Sequence, residues 1–130
     1  MFLSQVRLTA GMHLVGLADL APQRARDRLL EVGWPIAQLT ARDVGDAITT
    51  GKTFITDDAL AVIAHPEVEV VIEATGDPAT GIRLCQAAIQ YGKHIVMVNV
   101  EADAWPVHCW RAGRGRRASS IRWPGATSQR

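Results

Sequence analysis

The chain has 130 residues, enough for one domain with a real core, and its 48% hydrophobic and 21% charged content is that of an ordinary globular protein. A formal net charge of +1 gives no reason to expect nucleic acid or an anionic membrane as partner. Two cysteines, Cys85 and Cys109, make neither a disulfide framework nor a metal site. No apolar run reaches the length of a membrane span and no signal-peptide pattern opens the chain, so the expected location is cytoplasmic.

In chain order, Phe2, Leu3, Val6 and Leu8 have the spacing of a short amphipathic helix that Gly11 ends. His13 to Ala18 is a short apolar strand, closed by Asp19. After a turn at Leu20, Ala21 and Pro22, residues Gln23 to Val32 read as a helix with Ala25, Leu29, Leu30 and Val32 inward, stopped by Gly33-Trp34-Pro35. Ala41 to Thr50 reads as a further helix, with Val44, Ala47 and Ile48 apolar and Gly51 as its stop. Thr53 to Thr56 is a short strand. Asp57 or Asp58 then caps a helix through Ala59, Leu60, Val62 and Ile63, which His65-Pro66 closes.

The best-formed stretch is Val68 to Asn99. Val68 to Ala74 has the composition of a buried parallel strand. Thr75, Gly76, Asp77 and Pro78 break it. Asp77 suits a helix N-cap and Pro78 the first helical position, where a missing N–H costs nothing. Ile82, Leu84, Cys85, Ala88 and Ile89 form a helical stripe, Gly92 is a left-handed stop, and Lys93 and His94 suit the negative end of the helix dipole. Ile95 to Val98 is a second strand. This is a strand–helix–strand unit with a right-handed crossover. Strands alternate with helices throughout residues 1–99, which argues for an α/β domain with a parallel sheet covered on both faces.

Trp105 to Arg130 differs from everything before it. It holds three of the four tryptophans and six arginines, with no lysine, no acidic residue and no apolar period. Two readings compete: a basic arm for nucleic acid or anionic lipid, and an irregular, disordered or frame-shifted tail without selected function. The domain division expected is therefore 1–104, a partial dinucleotide-binding domain, and 105–130, an irregular basic tail.

Asp19 stands at the carboxyl end of a strand, where a carboxylate can accept both hydroxyls of an adenosine ribose and repel a 2′-phosphate, favouring NAD over NADP. It can equally cap the next turn. Thr75 and Gly76 follow another strand, on the side where open α/β sheets bind ligands, and Gly76 would let backbone approach a flat cofactor. Asn99, Glu101 and Asp103 follow the next strand, and Glu101 or Asp103 could serve acid–base chemistry. The histidines show no metal-ligand spacing with one another or with the cysteines, so no metal site is expected. The fingerprint G-x-G-x-x-G after a first strand is absent, as is that strand. The fold expected is a partial doubly wound parallel sheet of the Rossmann type, lacking the first strand and glycine loop.

Leu17-Ala18-Asp19 with Pro22 and Ala25, then T-D-D, H-P-E-V-E-V-V-I-E-A-T-G, and G-K-H-I-V-M-V-N resemble the N-terminal half of nicotinamide-dependent dehydrogenases. The glucose–fructose oxidoreductase and inositol dehydrogenase-like group carries a similar series, as does homoserine dehydrogenase. The series looks most like homoserine dehydrogenase-like oxidoreductases with a C-terminal SAF domain, which run on similarly through V-N-V-E-A-D. The resemblance covers about residues 1–104. It implies an NAD(P)-dependent oxidoreductase acting on a small hydroxy or carbonyl compound, with NAD preferred. Asp19 would bind the adenosine ribose, and Ala74, Thr75 and Gly76 would line the cofactor near pyrophosphate and nicotinamide. Asn99 would lie near nicotinamide and substrate, with Glu101 close by.

Departures from these families bear on activity. Val100 stands where homoserine dehydrogenases carry a lysine, and the Glu-Lys-Pro of the glucose–fructose group is missing. Catalytic residues therefore do not transfer. Without a glycine loop or substrate domain, the expectation is a fragment, inactive alone, that binds NAD weakly or not at all. A non-catalytic nucleotide-sensing or interaction module, with a ligand-dependent partner or oligomer, is the alternative.

Overall fold

The structure is a computed structural model that describes residues 2–98. Asn99, Glu101, Asp103 and the 105–130 tail lie outside the described residues. The element order is α1 (Phe2–Leu8), β1 (Gly16–Ala18), α2 (Pro22–Glu31), a 3-10 turn (Ile36–Leu39), α3 (Val44–Thr50), β2 (Phe54–Thr56), α4 (Ala59–Ala64), β3 (Val70–Glu73), α5 (Pro78–Gln90) and β4 (His94–Met97). The chain is thus mixed α/β. Its strands form two parallel pairs: β1 with β2, Leu17 opposite Ile55, and β3 with β4, Val71 opposite Ile95. No described residue joins the two pairs into one sheet, so the described architecture is two small sheets rather than a continuous doubly wound one.

Local chemistry accounts for the helix ends. Asp43, Asp58 and Asp77 each take the N–H three residues on, at Asp46, Ala61 and Thr80, as N-caps do. Proline opens α2 and α5. Gly51 and Gly92 follow α3 and α5 with positive φ. Of the two aspartates offered for α4, Asp58 is the cap.

Each strand pair has its own core. Leu29, Trp34 and Leu39 pack with Leu3, Leu14, Leu17 and Ile55 over the first pair. Ile63, Leu84 and Ala88 pack with Val71, Ala87 and Ile95 over the second. Full burial of one such aliphatic side chain contributes about 1.5–3 kcal/mol. Polar groups inside the first core are matched: the Trp34 indole donates to the Leu3 carbonyl at 3.1 Å, and the Thr53 hydroxyl to the Leu14 carbonyl at 2.7 Å. The bridge between the halves is α4, which touches both β1 and α5. It comes so close at Gly16 that a Cβ there would lie 2.8 Å from Cγ1 of Val62.

Several expectations need correction. Leu30 and Ile89 are exposed, because each lies beyond the edge of its helix's buried stripe. The 3-10 turn, with Leu39 fully buried, was no part of the helical pattern. Trp34 is a core residue as well as part of a stop. Lys93 serves the α5 terminus through its N–H, which donates to the Ala88 carbonyl at 2.8 Å, while its ammonium donates to the carbonyls of His65 and Pro66 at 2.7 and 3.2 Å, pinning the entry to β3. His94 begins β4. Among the described residues the second sheet is covered on one face only, since Val70, Ile72 and Val96 are exposed. Strong β-branched composition marks a strand and does not reveal how many of its faces are covered.

Candidate functional site

Both parallel pairs end in residues expected to bind a ligand. Asp19 directly follows β1, and Ala74, Thr75 and Gly76 follow β3. Parallel strands present their carboxyl ends on one side, where open α/β sheets hold ligands.

Asp19 is fixed by its own backbone surroundings. Its N–H continues the ladder to the Thr56 carbonyl at 2.9 Å, and its Oδ1 accepts the Ala21 N–H at 2.8 Å. Arg24, one turn into α2, places a guanidinium nitrogen 3.6 Å from the same oxygen. The turn-capping role offered for Asp19 is therefore real. It leaves Oδ2 without a hydrogen bond among the described residues, so a ribose hydroxyl still has an acceptor there.

The turn after β3 is held differently. Thr75 donates both its N–H, at 2.7 Å, and its hydroxyl, at 2.5 Å, to Oε1 of Glu73. Gly76 follows with φ of 72°, a left-handed value that favours glycine, and an added Cβ would meet nothing within 4 Å. Among the described residues nothing fills the space beside Gly76. Asp77 then caps α5 through the Thr80 N–H at 2.8 Å. Asp19 and the Thr75–Gly76 turn share no hydrogen bond or ion pair; each is positioned by its own strand.

Hydrogen bonds from Thr80, side chain first and backbone second, hold the Asp77 carboxyl below its ordinary range, with help from the Arg83 charge. A depressed carboxylate pKa contributes stability that is present above the ordinary value of 3.8 and lost as pH falls through the folded value. The start of α5 is therefore expected to loosen only below that range. Amide exchange at Thr80 as a function of pH reads this directly, and Asp77→Asn, which keeps an acceptor without a titrating group, should flatten the profile.

Sequence reasoning missed Glu73. It sits inside an apolar run, yet it is only 2% exposed and its Oε2 is buried without a hydrogen-bond partner among the described residues. The signal available was one carboxylate at an inward strand position two residues before the turn. Among the described residues no three metal-ligating side chains come together, and no helix is long and apolar enough to cross a membrane.

No family model matches the chain. Over 92 residues, 68% of the chain, it is 33% identical to the homoserine dehydrogenase of Methylobacillus glycogenes, of which it covers 22%. Over 67 residues, 52% of the chain, it is 39% identical to the homoserine dehydrogenase of Pseudomonas aeruginosa, of which it covers 15%. The likeness is to homoserine dehydrogenases. The chain spans about a fifth of the length of the curated relatives it matches.

Proposed function

We propose that residues 1–104 are the dinucleotide-binding part of an NAD(P)-dependent, homoserine dehydrogenase-like oxidoreductase acting on a small hydroxy or carbonyl compound. The observation that supports it most is the partial identity to two homoserine dehydrogenases. The two parallel pairs are consistent with it as the two flanks of one doubly wound sheet of the Rossmann type, β2-β1 on one side and β3-β4 on the other, related by the helix α4 that touches both.

In this reading Asp19 accepts the adenosine ribose hydroxyls through Oδ2, and Ala74, Thr75 and Gly76 line the pyrophosphate and nicotinamide side. Asn99 and Glu101 would approach the nicotinamide and substrate. The cofactor supplies the hydride chemistry, and the chain positions it. NAD is preferred because the Asp19 carboxylate repels a 2′-phosphate, a repulsion that the neighbouring Arg24 softens. The oxidoreductase reading belongs to the longer relatives, and this chain alone is expected to show no turnover.

The test is an NMR titration of the 130-residue chain. NADH should bind with a dissociation constant on the order of millimolar and shift the amides of Asp19 to Ala21 and of Thr75 and Gly76. Asp19→Asn should weaken NADH and strengthen NADPH, moving their ratio by about tenfold, as expected for one charged contact. Shifts confined to other residues, or none at all, sink the proposal.

A further inference from the structure

Glu73 combines two features that packing does not explain. Its side chain points to the same face of β3 as Val71, which packs against Ile63, Leu84 and Ala88. An aliphatic residue would fill that position without the desolvation cost that a buried carboxyl carries. Instead the carboxyl is buried, with one oxygen holding two donors and the other holding none among the described residues.

What the engaged oxygen does is specific. It takes both donors of Thr75, so backbone and side chain of that residue are tied to the end of β3 at once. The Thr75 hydroxyl, with its proton committed to Glu73, receives the Asp77 N–H at 3.4 Å. A short chain of contacts therefore runs from Glu73 through Thr75 to the cap of α5. Gly76 is the residue it passes over. Its N–H has no acceptor among the described residues, and the space beside it is open. The arrangement occupies the donors of Thr75 and Asp77 on either side and leaves that of Gly76 without a partner among the described residues.

We propose that Glu73 is a positioning residue for the nicotinamide half of the dinucleotide: its buried carboxyl fixes the Thr75–Gly76 turn so that the Gly76 backbone meets the ligand. The inference rests on the dinucleotide reading above and adds a residue to it. Glu73 touches no ligand in this account. It acts through Thr75, and the charge of a carboxylate suits the double donation better than a neutral acceptor would. The two halves of the site then have separate supports, Asp19 for the adenosine half and Glu73 for the nicotinamide half.

That separation is what an experiment can read. AMP carries only the adenosine half, whereas NADH carries both, so the two ligands are titrated in parallel by NMR into the full chain and three variants. Wild type should respond to AMP at Asp19 to Ala21 only, and to NADH at those residues and at Gly76. In Glu73→Ala and in Glu73→Leu the AMP response should be unchanged, while the NADH response at Gly76 is lost and NADH affinity falls by about tenfold, as expected when a charged hydrogen-bond acceptor is removed from the turn. Glu73→Gln keeps an acceptor atom and should recover most of the NADH response. If Glu73→Ala does not fold, Glu73→Leu decides the matter, because an aliphatic side chain fills the same apolar position beside Val71 without offering an acceptor. Equal loss of AMP and NADH binding in that variant overturns the inference, as does an intact Gly76 response. No response of wild type to either ligand removes the dinucleotide reading and this inference together, whereas a wild-type response that Glu73→Leu leaves unchanged removes this inference alone.

Discussion

Leu29→Ala is expected to destabilise the folded chain by about 2–5 kcal/mol, the range for deleting a buried leucine side chain and leaving a cavity. Leu29 is fully buried at the centre of the first core, between Trp34 and Leu39, with Leu3, Leu14, Leu17 and Ile55 around it. Those neighbours come from α1, the connection after it, β1, β2, the 3-10 turn and the connection after α2, so no single element can move in to close the gap. Domains of this size have roughly 5–15 kcal/mol in total, and losing that much would bring a large fraction of molecules near unfolding. Urea denaturation checks it: the midpoint should fall with the slope unchanged. Leu30→Ala is the control. Its side chain is 37% exposed, one position along the same helix, and its effect should stay near the roughly 0.5 kcal/mol typical of surface changes.

The same pair of leucines shows how far periodicity reaches. Apolar spacing located α2 and its approximate ends, because proline at the start and glycine after the end constrain the backbone locally. It could not separate Leu29 from Leu30, since both fit an inward stripe about 100° wide. Which of them is buried depends on where β1 and β2 lie, and that is set by contacts distant in the chain. Asp77 was legible in full because an N-cap is a local event, made with the residue three positions on. The same logic explains the exposed face of β3 and β4. Val70, Ile72 and Val96 are chosen for burial by composition, but whether a layer covers them is a tertiary fact.

The candidate site divides along the same line. The turn-capping role of Asp19 and the left-handed conformation of Gly76 were legible because each is a local event in the turn that follows a strand. The turn after β1 uses only Oδ1 of Asp19. Glu73 was invisible because its significance lies in what its oxygens contact, and an acidic residue in a strand is ordinarily placed on the solvent side. For Lys93 the local reading holds for the backbone and stops short of the side chain. A lysine after a helix fits the dipole rule so well that its reach to His65 and Pro66, 28 and 27 residues back, leaves no trace in local pattern.

Gly16→Ala should cost about 1–3 kcal/mol, the range for overfilling a packed contact, although alanine is the better residue for a strand. The new Cβ would stand 2.8 Å from Cγ1 of Val62, closer than real methyl groups pack, and 3.3 Å from Cγ2, which is tighter than most. Strand and helix must separate, and this contact lies where α4 meets β1, the element that leads into Asp19. Val62→Ala removes the two methyls responsible. Alone it should destabilise modestly, by about 0.5–1.5 kcal/mol for lost packing. Combined with Gly16→Ala it should cost less than the sum of the two, because the alanine methyl occupies space that Val62 has vacated. A double-mutant cycle by urea unfolding measures that difference, and additive effects would mean that β1 and α4 are not in contact through this pair. The cycle has a second readout. If the spacing of β1 and α4 sets the position of Asp19, the Ala21 amide resonance, which reports the hydrogen bond to Asp19 Oδ1, should move in Gly16→Ala and return in the double variant.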